Sequence, residues 1–396
     1  MKRIGIYGGA FNPPHIGHVR AAQYALSALQ LELLYVIPTC VSPHKEQPEH
    51  SATPGQRLEM LAACLSVTPG ICISDIELQR GGSSYTYETV EKIKGIYPNE
   101  ELILFMGTDM FLSFHTWRHP DKILKNASLA VFYRGQRDEE TAIEKQKAFL
   151  EDKGAKVYLV ENPITEISST DLRRMLIFGC SDEFLPPEVS AFIQQKKLYG
   201  ADKSLKNLPM DRLEEEVISL LKPNRVAHVL GCRDTAAELA RIWGADESDA
   251  ARAGMLHDIT KALDGPLQLT LCRAYGIMLD DFSAHNPKTL HALTGSLVAQ
   301  RIFGENDAVV SAIRSHTTGK ADMNMLEKII YVADYMEPNR DFSGVEELRQ
   351  LAYTDIDSAL KMGLEMTLSM LREQGREISP ESQQALAWLE KTKNVP

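Results

Sequence analysis

The 396-residue chain has no apolar run long enough to span a bilayer, no internal repeat and no low-complexity tract, so no membrane helix, solenoid or disordered tail is expected to organise it. Its six cysteines (Cys40, Cys64, Cys72, Cys180, Cys232 and Cys272) are scattered without a Cys-x-x-Cys pair, which argues against a zinc knuckle or a disulfide framework and fits a reducing cytoplasm. Positive charge is also short. A formal charge of −11 speaks against broad binding to nucleic acid or an acidic membrane, so any phosphate must be met by local positive sites. Lys2 and Arg3 imitate the start of a signal peptide, but Gly8, Gly9, Asn12, Pro13 and Pro14 interrupt the apolar segment that would have to follow. A cytoplasmic protein is expected, with no nucleic-acid or membrane partner.

What remains is an ordinary globular composition, 44% apolar and 24% charged, in a chain too long for one typical core. Two domains are expected, 1–200 and 211–396, joined by a linker at 201–210. The first half alternates strands (3–7, 33–38, 71–78, 101–106, 129–134, 156–160) with helices (from 16, then 56–66, 85–97, 109–117, 120–126, 138–153). That rhythm predicts an α/β fold, a doubly wound parallel sheet with right-handed crossovers and ligands beyond the carboxyl ends of the strands. From Asp211 onward only helical stretches follow, including one expected to run unbroken over 345–373, so the second half reads as all-α.

Two stretches of the first half carry anion chemistry. Gly8-Gly9 closes the first strand and permits close approach of backbone to a ligand, while His15 and His18 lie on one face of the first turn of the helix that follows. Unpaired N–H groups at a helix start favour anions, though a tight β-to-α turn with two surface histidines has the same spacing. Ile167-Ser-Ser-Thr-Asp-Leu-Arg173 repeats the theme: Ser168, Ser169 or Thr170 can cap a helix and Arg173 can reach back over its first turn.

Gly8-Gly-Ala-Phe-Asn-Pro13 leading to His15-Ile-Gly-His18, with Pro43-His-Lys45, Ser84-Tyr-Thr86, Gly107-Thr-Asp109, Trp117 and Ile167 to Arg173, makes the first half resemble the bacterial nicotinate-mononucleotide adenylyltransferases of the nucleotidylyltransferase superfamily. The resemblance implies a Rossmann-like fold and transfer of AMP from ATP to nicotinate mononucleotide. It implies that Gly8, Gly9 and Phe11 shape the nucleotide site, that His15 and His18 donate to the ATP phosphates, and that Arg173 with Ser168, Ser169 and Thr170 holds the leaving pyrophosphate. Lys45 would supply a mobile charge, and Mg2+ would ride on the ATP. Asp109 would reach the adenosine side, Trp117 would stack on the pyridine ring, and Tyr85 and Thr86 would present backbone N–H groups to the nicotinate carboxylate, with Gly107 and Ser84 as further binding residues of the same motifs. Pantetheine-phosphate adenylyltransferases are the nearer rival, but usually carry Thr at the position of His15 and lack Ser-Tyr-Thr. Ala10 and Asn12 depart from the usual family residues and bear on nucleotide selectivity.

In the second half, His228, His257-Asp258, His291, His316 and Asp334 offer six nitrogen and oxygen ligands from five segments, more than one ion needs. Imidazole and carboxylate without thiolate suit iron, manganese or zinc, and an Asp able to bridge suggests two divalent ions with an activated water between them. The order His, His-Asp, Asp is the HD-domain signature. With His228-Val-Leu-Gly, Ala253 to Lys261, His316-Thr-Thr-Gly319 and Tyr331 to Arg340, this half is similar to the HD-superfamily symmetrical hydrolases of diadenosine tetraphosphate, as an HD-type helical bundle. That resemblance implies one metal on His228, His257, Asp258 and Asp334, a second, iron first among candidates, on Asp258, His291 and His316, and two ADP as products. Lys261 and Arg340 would meet substrate phosphates, and Thr317 with Gly319 would shape the pocket wall. An HD domain acting on another nucleotide phosphate, or serving as a non-catalytic nucleotide sensor, is the alternative.

Overall fold

A computed structural model describes residues 2–41, 51–133, 137–161 and 167–392. Contacts divide the chain into two compact units, Met1–Asp202 and Lys203–Pro396, so residues 203–209 of the expected linker belong to the second unit. Leu205 is buried there, and Asn207 N–H donates to Phe303 O.

The first unit holds six strands, β1 (Arg3–Gly9), β2 (Leu33–Pro38), β3 (Ile71–Ile73), β4 (Glu101–Gly107), β5 (Ser128–Tyr133) and β6 (Val157–Glu161). All pair in parallel, in the order β3-β2-β1-β4-β5-β6. Between them run α1 (Ile16–Ala28), α2 (Pro54–Leu65), α3 (Ile76–Arg80), α4 (Thr86–Ile96), α5 (Thr108–Leu112), α6 (Pro120–Asn126) and α7 (Arg137–Glu151), with α8 (Ser169–Ile177) and α9 (Pro187–Lys196) closing the unit. β4 shows why the sheet is covered on both faces: Leu102, Leu104 and Met106 pack into one core and Ile103 and Phe105 into the other, all buried. The strand order reverses between β1 and β4, which opens a crevice above Gly9 and Gly107 where a doubly wound sheet takes its ligand. The strand expected over 71–78 stops at Ile73. Ser74 and Asp75 turn the chain into α3, with Gln79 N–H on Asp75 O.

The second unit is helical throughout its described residues: α10 (Met210–Leu220), α11 (Val226–Trp243), α12 (Glu247–Leu256), α13 (Gly265–Ala274), α14 (Asp281–His285), α15 (Leu290–Val298), α16 (Asp307–Ser315), α17 (Met325–Met336), α18 (Val345–Thr354), α19 (Ile356–Glu373) and α20 (Pro380–Thr392). α11 packs on both α12 and α17, and its small buried residues Ala236 and Ala240, with Ala250 and Ala253 of α12, allow close approach. The helix expected over 345–373 is two. Asp355 leaves helical angles at φ −154° and its side chain caps α19 by accepting Ser358 N–H, an Asp-x-x-Ser stop-and-restart. No helix among the described residues is long and apolar enough to cross a membrane.

At the amino end of the sheet one carboxylate ties four strands. Glu101 Oε1 accepts from Lys156 Nζ at 2.7 Å, Tyr158 OH at 2.8 Å and Ser128 Oγ at 3.1 Å, and Oε2 accepts from Arg3 Nε at 3.2 Å. Burial opposes its charge, but the bonds from Lys156, Tyr158 and Ser128 outweigh it and push its pKa down to about 2. A carboxyl depressed on folding stabilises above its unfolded value, and that contribution is lost as pH falls from 4.5 toward 2. Glu101→Gln should lower the melting temperature of the first unit at pH 7 by about 2–4 °C and flatten its acid loss. Calorimetry at pH 7 and pH 3 measures this, and identical acid curves for both proteins would refute it.

Candidate active sites

A cavity of about 290 Å³ occupies the crevice at the reversal of strand order. It is lined by Gly8, Gly9, Phe11 and His18 after β1, by Gly107, Met110 and Trp117 after β4, and by Ser84, Tyr85 and Thr86. A side chain at Gly8 would meet no protein atom within 4 Å, whereas one at Gly9 would press on the Phe11 ring at 3.0 Å. Phe11 is itself buried at φ +46°, a left-handed backbone rarely held by a large side chain, with its ring edge-on to His18 at 4.9 Å.

His15 is the N-cap of α1 and His18 its third residue, and they cap each other reciprocally. His18 N–H donates to His15 Nδ1 at 3.4 Å and His15 N–H to His18 Nδ1 at 3.2 Å, with the rings stacked 3.5 Å apart. Burial lowers the pKa of His15 to about 3; burial, then the neighbouring His15, lowers that of His18 well below the ordinary value. Both rings are neutral. With Nδ1 accepting from backbone, each carries its proton on Nε2, a donor suited to an anion.

The turn between them and the sheet is held from three directions. Arg57, an arginine only 1% exposed, sends Nη1 to Ala10 O and Nη2 to Thr39 O, both at 2.6 Å. Arg173 Nη1 donates to Asn12 O at 2.7 Å and Nη2 to Thr170 Oγ1 at 3.1 Å. Tyr199 OH donates to Asn12 Oδ1 at 2.6 Å. Ser168 caps α8 by accepting Asp171 N–H at 3.0 Å, and Ser169 Oγ donates to Pro13 O at 3.3 Å, so the second motif lies against the first. Asp109 is exposed on the first turn of α5 and is not among the residues lining the cavity, whereas its exposed neighbour Met110 is. Lys45 lies outside the described residues. Spacing missed Arg57, Tyr199 and Arg118, whose guanidinium lies 4.5 Å from the centre of the Tyr85 ring at the cavity wall. Arg57 left a signal: with Met60, Leu61 and Leu65 it repeats at helical spacing on the buried face of α2.

In the second unit all six expected ligands converge. His228 Nε2 lies 3.1 Å from Asp334 Oδ1, 3.7 Å from Asp258 Oδ2 and 3.2 Å from His257 Nε2, and His257 Nε2 lies 3.5 Å from Asp258 Oδ2. The other carboxylate oxygen, Asp258 Oδ1, faces His291 Nε2 at 3.5 Å and His316 Nε2 at 3.8 Å. Asp258 therefore stands between two sets of donors. Every Nδ1 is turned outward to an acceptor: Glu337 Oε1 for His228 (3.1 Å), Gly254 O for His257 (2.7 Å), Lys288 O for His291 (2.8 Å) and Ile313 O for His316 (2.6 Å). Four Nε2 atoms thus face the centre, as metal ligation requires. Burial, aided by Lys261, lowers His291 to about 4, and burial lowers His316 to about 3, which keeps both neutral. For His257 burial opposes charge, but Cys232 and Asp258 raise its pKa above the ordinary value. The donor set fits a cation. Asp258 Oδ1 is buried without a hydrogen bond, and His228, His257 and Asp334, or His257, Asp258 and His316, can each bring three ligand atoms within 4.8 Å of one another.

Cations rim the cluster. Lys261 Nζ lies 3.2 Å from Asp258 Oδ1, Arg340 Nη2 2.5 Å from Asp334 Oδ1, and Arg225, which spacing did not single out, pairs with Asp258 Oδ2. Thr317 Oγ1 lies 3.2 Å from His291 Nε2 and 3.1 Å from His316 Nε2, closer to the ligands than a pocket wall. Gly319 is not brought there. A side chain on it would face Ala385 and Leu364, because its left-handed φ of +64° turns the chain away after His316.

Comparison with known proteins divides at the same place. A cytidylyltransferase-like family model matches residues 6–175 and an HD domain model residues 225–339. The "probable nicotinate-nucleotide adenylyltransferase" of Exiguobacterium sibiricum is 34% identical over 50% of this chain and 99% of its own. The "bis(5'-nucleosyl)-tetraphosphatase, symmetrical" of Bacillus subtilis is 37% identical over 44% of this chain and 96% of its own. A Mycoplasma pneumoniae protein given as "probable nicotinate-nucleotide adenylyltransferase/Ap4A hydrolase" is 28% identical over 93% of this chain and 98% of its own.

Two expectations follow from the geometry. Arg57→Met leaves the carbonyls of Ala10, Thr39 and Cys40 without their charged donor and should destabilise the first unit by about 3 kcal/mol in denaturant unfolding; a loss below about 1 kcal/mol would refute the role. His15 and His18 should stay neutral in the free protein from pH 8 to pH 5 by 15N NMR. Because their folded pKa values lie below the unfolded value of 6.5, the unfolded chain gains protons first and stability declines as pH falls below that value. A titration near 6.5 for either ring would contradict this.

Proposed function

Over its first half this chain belongs to the nicotinate-nucleotide adenylyltransferases and over its second to the HD-domain symmetrical bis(5'-nucleosyl)-tetraphosphatases, and from that premise we propose that one polypeptide carries both activities. It transfers the adenylyl group of ATP to nicotinate mononucleotide, releasing pyrophosphate and giving nicotinate adenine dinucleotide. It also cleaves diadenosine tetraphosphate symmetrically to two ADP. A relative carrying both names along nearly the whole chain is the observation that supports joining them.

In the first reaction the mononucleotide phosphate attacks the α-phosphorus of ATP in line, so the protein has only to position and neutralise. The Nε2–H groups of His15 and His18 donate to the phosphates, backed by the bare backbone of Gly8 and Gly9. Arg173 and the start of α8 receive the pyrophosphate, and Lys45 adds a charge. Magnesium enters on the ATP. α4 begins at Thr86 without a side-chain cap, so its first N–H groups suit the nicotinate carboxylate, while Trp117 flanks the pyridine ring. The second reaction needs water made nucleophilic and phosphate charge neutralised, which two divalent ions supply when bound. His228, His257, Asp258 and Asp334 hold one ion, and Asp258, His291 and His316 hold the other, with iron first among the candidates and manganese and zinc behind it. Lys261, Arg340 and Arg225, released from the carboxylates they now pair with, meet the polyphosphate.

His18→Ala should cut adenylyl transfer about 100- to 1,000-fold and leave tetraphosphate hydrolysis unchanged, and Asp258→Ala should do the reverse while lowering bound metal per chain. Parallel assays with nicotinate mononucleotide, nicotinamide mononucleotide and phosphopantetheine set the first substrate. Absence of a preference for the nicotinate compound would overturn that assignment, and loss of both activities in either variant would show that the sites are coupled.

A further inference from the structure

One imidazole of the metal cluster is held differently from the other three. His257, His291 and His316 direct Nδ1 to backbone carbonyls, but His228 directs Nδ1 to a carboxylate, Glu337 Oε1, at 3.1 Å. Glu337 is 1% exposed, and among the described residues His228 is the only ion-pair partner of its carboxylate. Its other oxygen is fixed by Asn339, which donates its backbone N–H at 2.7 Å and its Nδ2 at 2.8 Å. The same Asn339 amide donates to Ala227 O at 3.1 Å, the residue before His228, and Arg349 Nη2 holds Glu337 O at 3.0 Å. α11 leaves room for this: a Cβ at Gly231, nearly one turn beyond His228, would run into Glu337 Oε2.

We propose that Glu337 is a positioning residue that fixes the His228 ring and makes the cation site of His228, His257, Asp258 and Asp334 the tighter of the two. A carboxylate behind an imidazole locks its tautomer and orientation and makes the ligating nitrogen more basic. Counting Glu337, three carboxylates surround that site, while the His291 and His316 side has only its share of Asp258. The inference rests on the two-metal reading of this centre.

The test is an equilibrium competition on the full-length, Mn2+-loaded protein against a chelator of known affinity, counting bound Mn2+ per chain. Glu337→Gln, which keeps the shape and removes the charge, should weaken one of the two ions about 10- to 100-fold and leave the other within about twofold. Gly231→Ala leaves the carboxylate chemically intact but pushes it off His228, and should give the same selective loss, which a general loss of fold would not. Adenylyl transfer by the first half should be unchanged in both variants. Equal weakening of both ions, or of neither, would overturn the proposal. A wild-type chain that takes up no cation would sink the two-metal reading itself, and this inference with it.

Discussion

What the backbone offers to Nδ1 decides what each imidazole can do at Nε2. At the start of α1 the backbone has only N–H groups to give, so His15 and His18 accept there, carry their protons outward and become donors toward an anion. His257 and His316 end α12 and α16, where the chain has only carbonyls to give, so they donate inward and expose lone pairs toward a cation. His291 reaches the same state through Lys288 O in the turn before α15. Burial keeps His15, His18, His291 and His316 uncharged, which leaves the tautomer in control. One residue type thus presents donors suited to an anion in one unit and acceptors suited to a cation in the other, and helix polarity makes the choice.

Around these rings, both sites obey the rule that a buried polar atom must be met. In the Ala10 to Asn12 turn, Arg57 and Arg173 answer the backbone carbonyls of Ala10 and Asn12, and Tyr199 answers the side-chain oxygen of Asn12. In the His/Asp cluster, Asp258 Oδ1 has Lys261 as an ion-pair partner but no hydrogen bond, at the point where two donor sets meet.

The alternation of strands and helices, the change to an all-helical second half and the six His and Asp residues that cluster were legible because each leaves a local pattern or a distinctive residue type. β4 could be read from its apolar run alone, and His257-Asp258 from its place at a helix end. What stayed hidden depends on contacts between distant segments. Arg57 meets Ala10 across 47 residues, and Glu337 meets His228 across 109. Two errors were of another kind. β3 and the helix expected over 345–373 are cut short because the side chains and backbone groups of Ser74-Asp75 and Asp355 begin new helices. Of the residues placed by motif, Thr317 meets His291 and His316 whereas Gly319 faces Ala385 and Leu364, and Asp109 is exposed beside the cavity-lining Met110.

Tyr199 closes the first unit only a few residues before its boundary at Asp202, yet its hydroxyl holds Asn12 in the turn that carries the histidines. The last residues of this unit therefore help to hold the turn that leads to His15 and His18. Any rearrangement that joins, separates or exchanges the two halves has a narrow window for its junction. A break placed before Tyr199 would leave a sheet with all its strands and a turn missing one of its three supports, whereas a break after Asp202 would carry the whole brace with it.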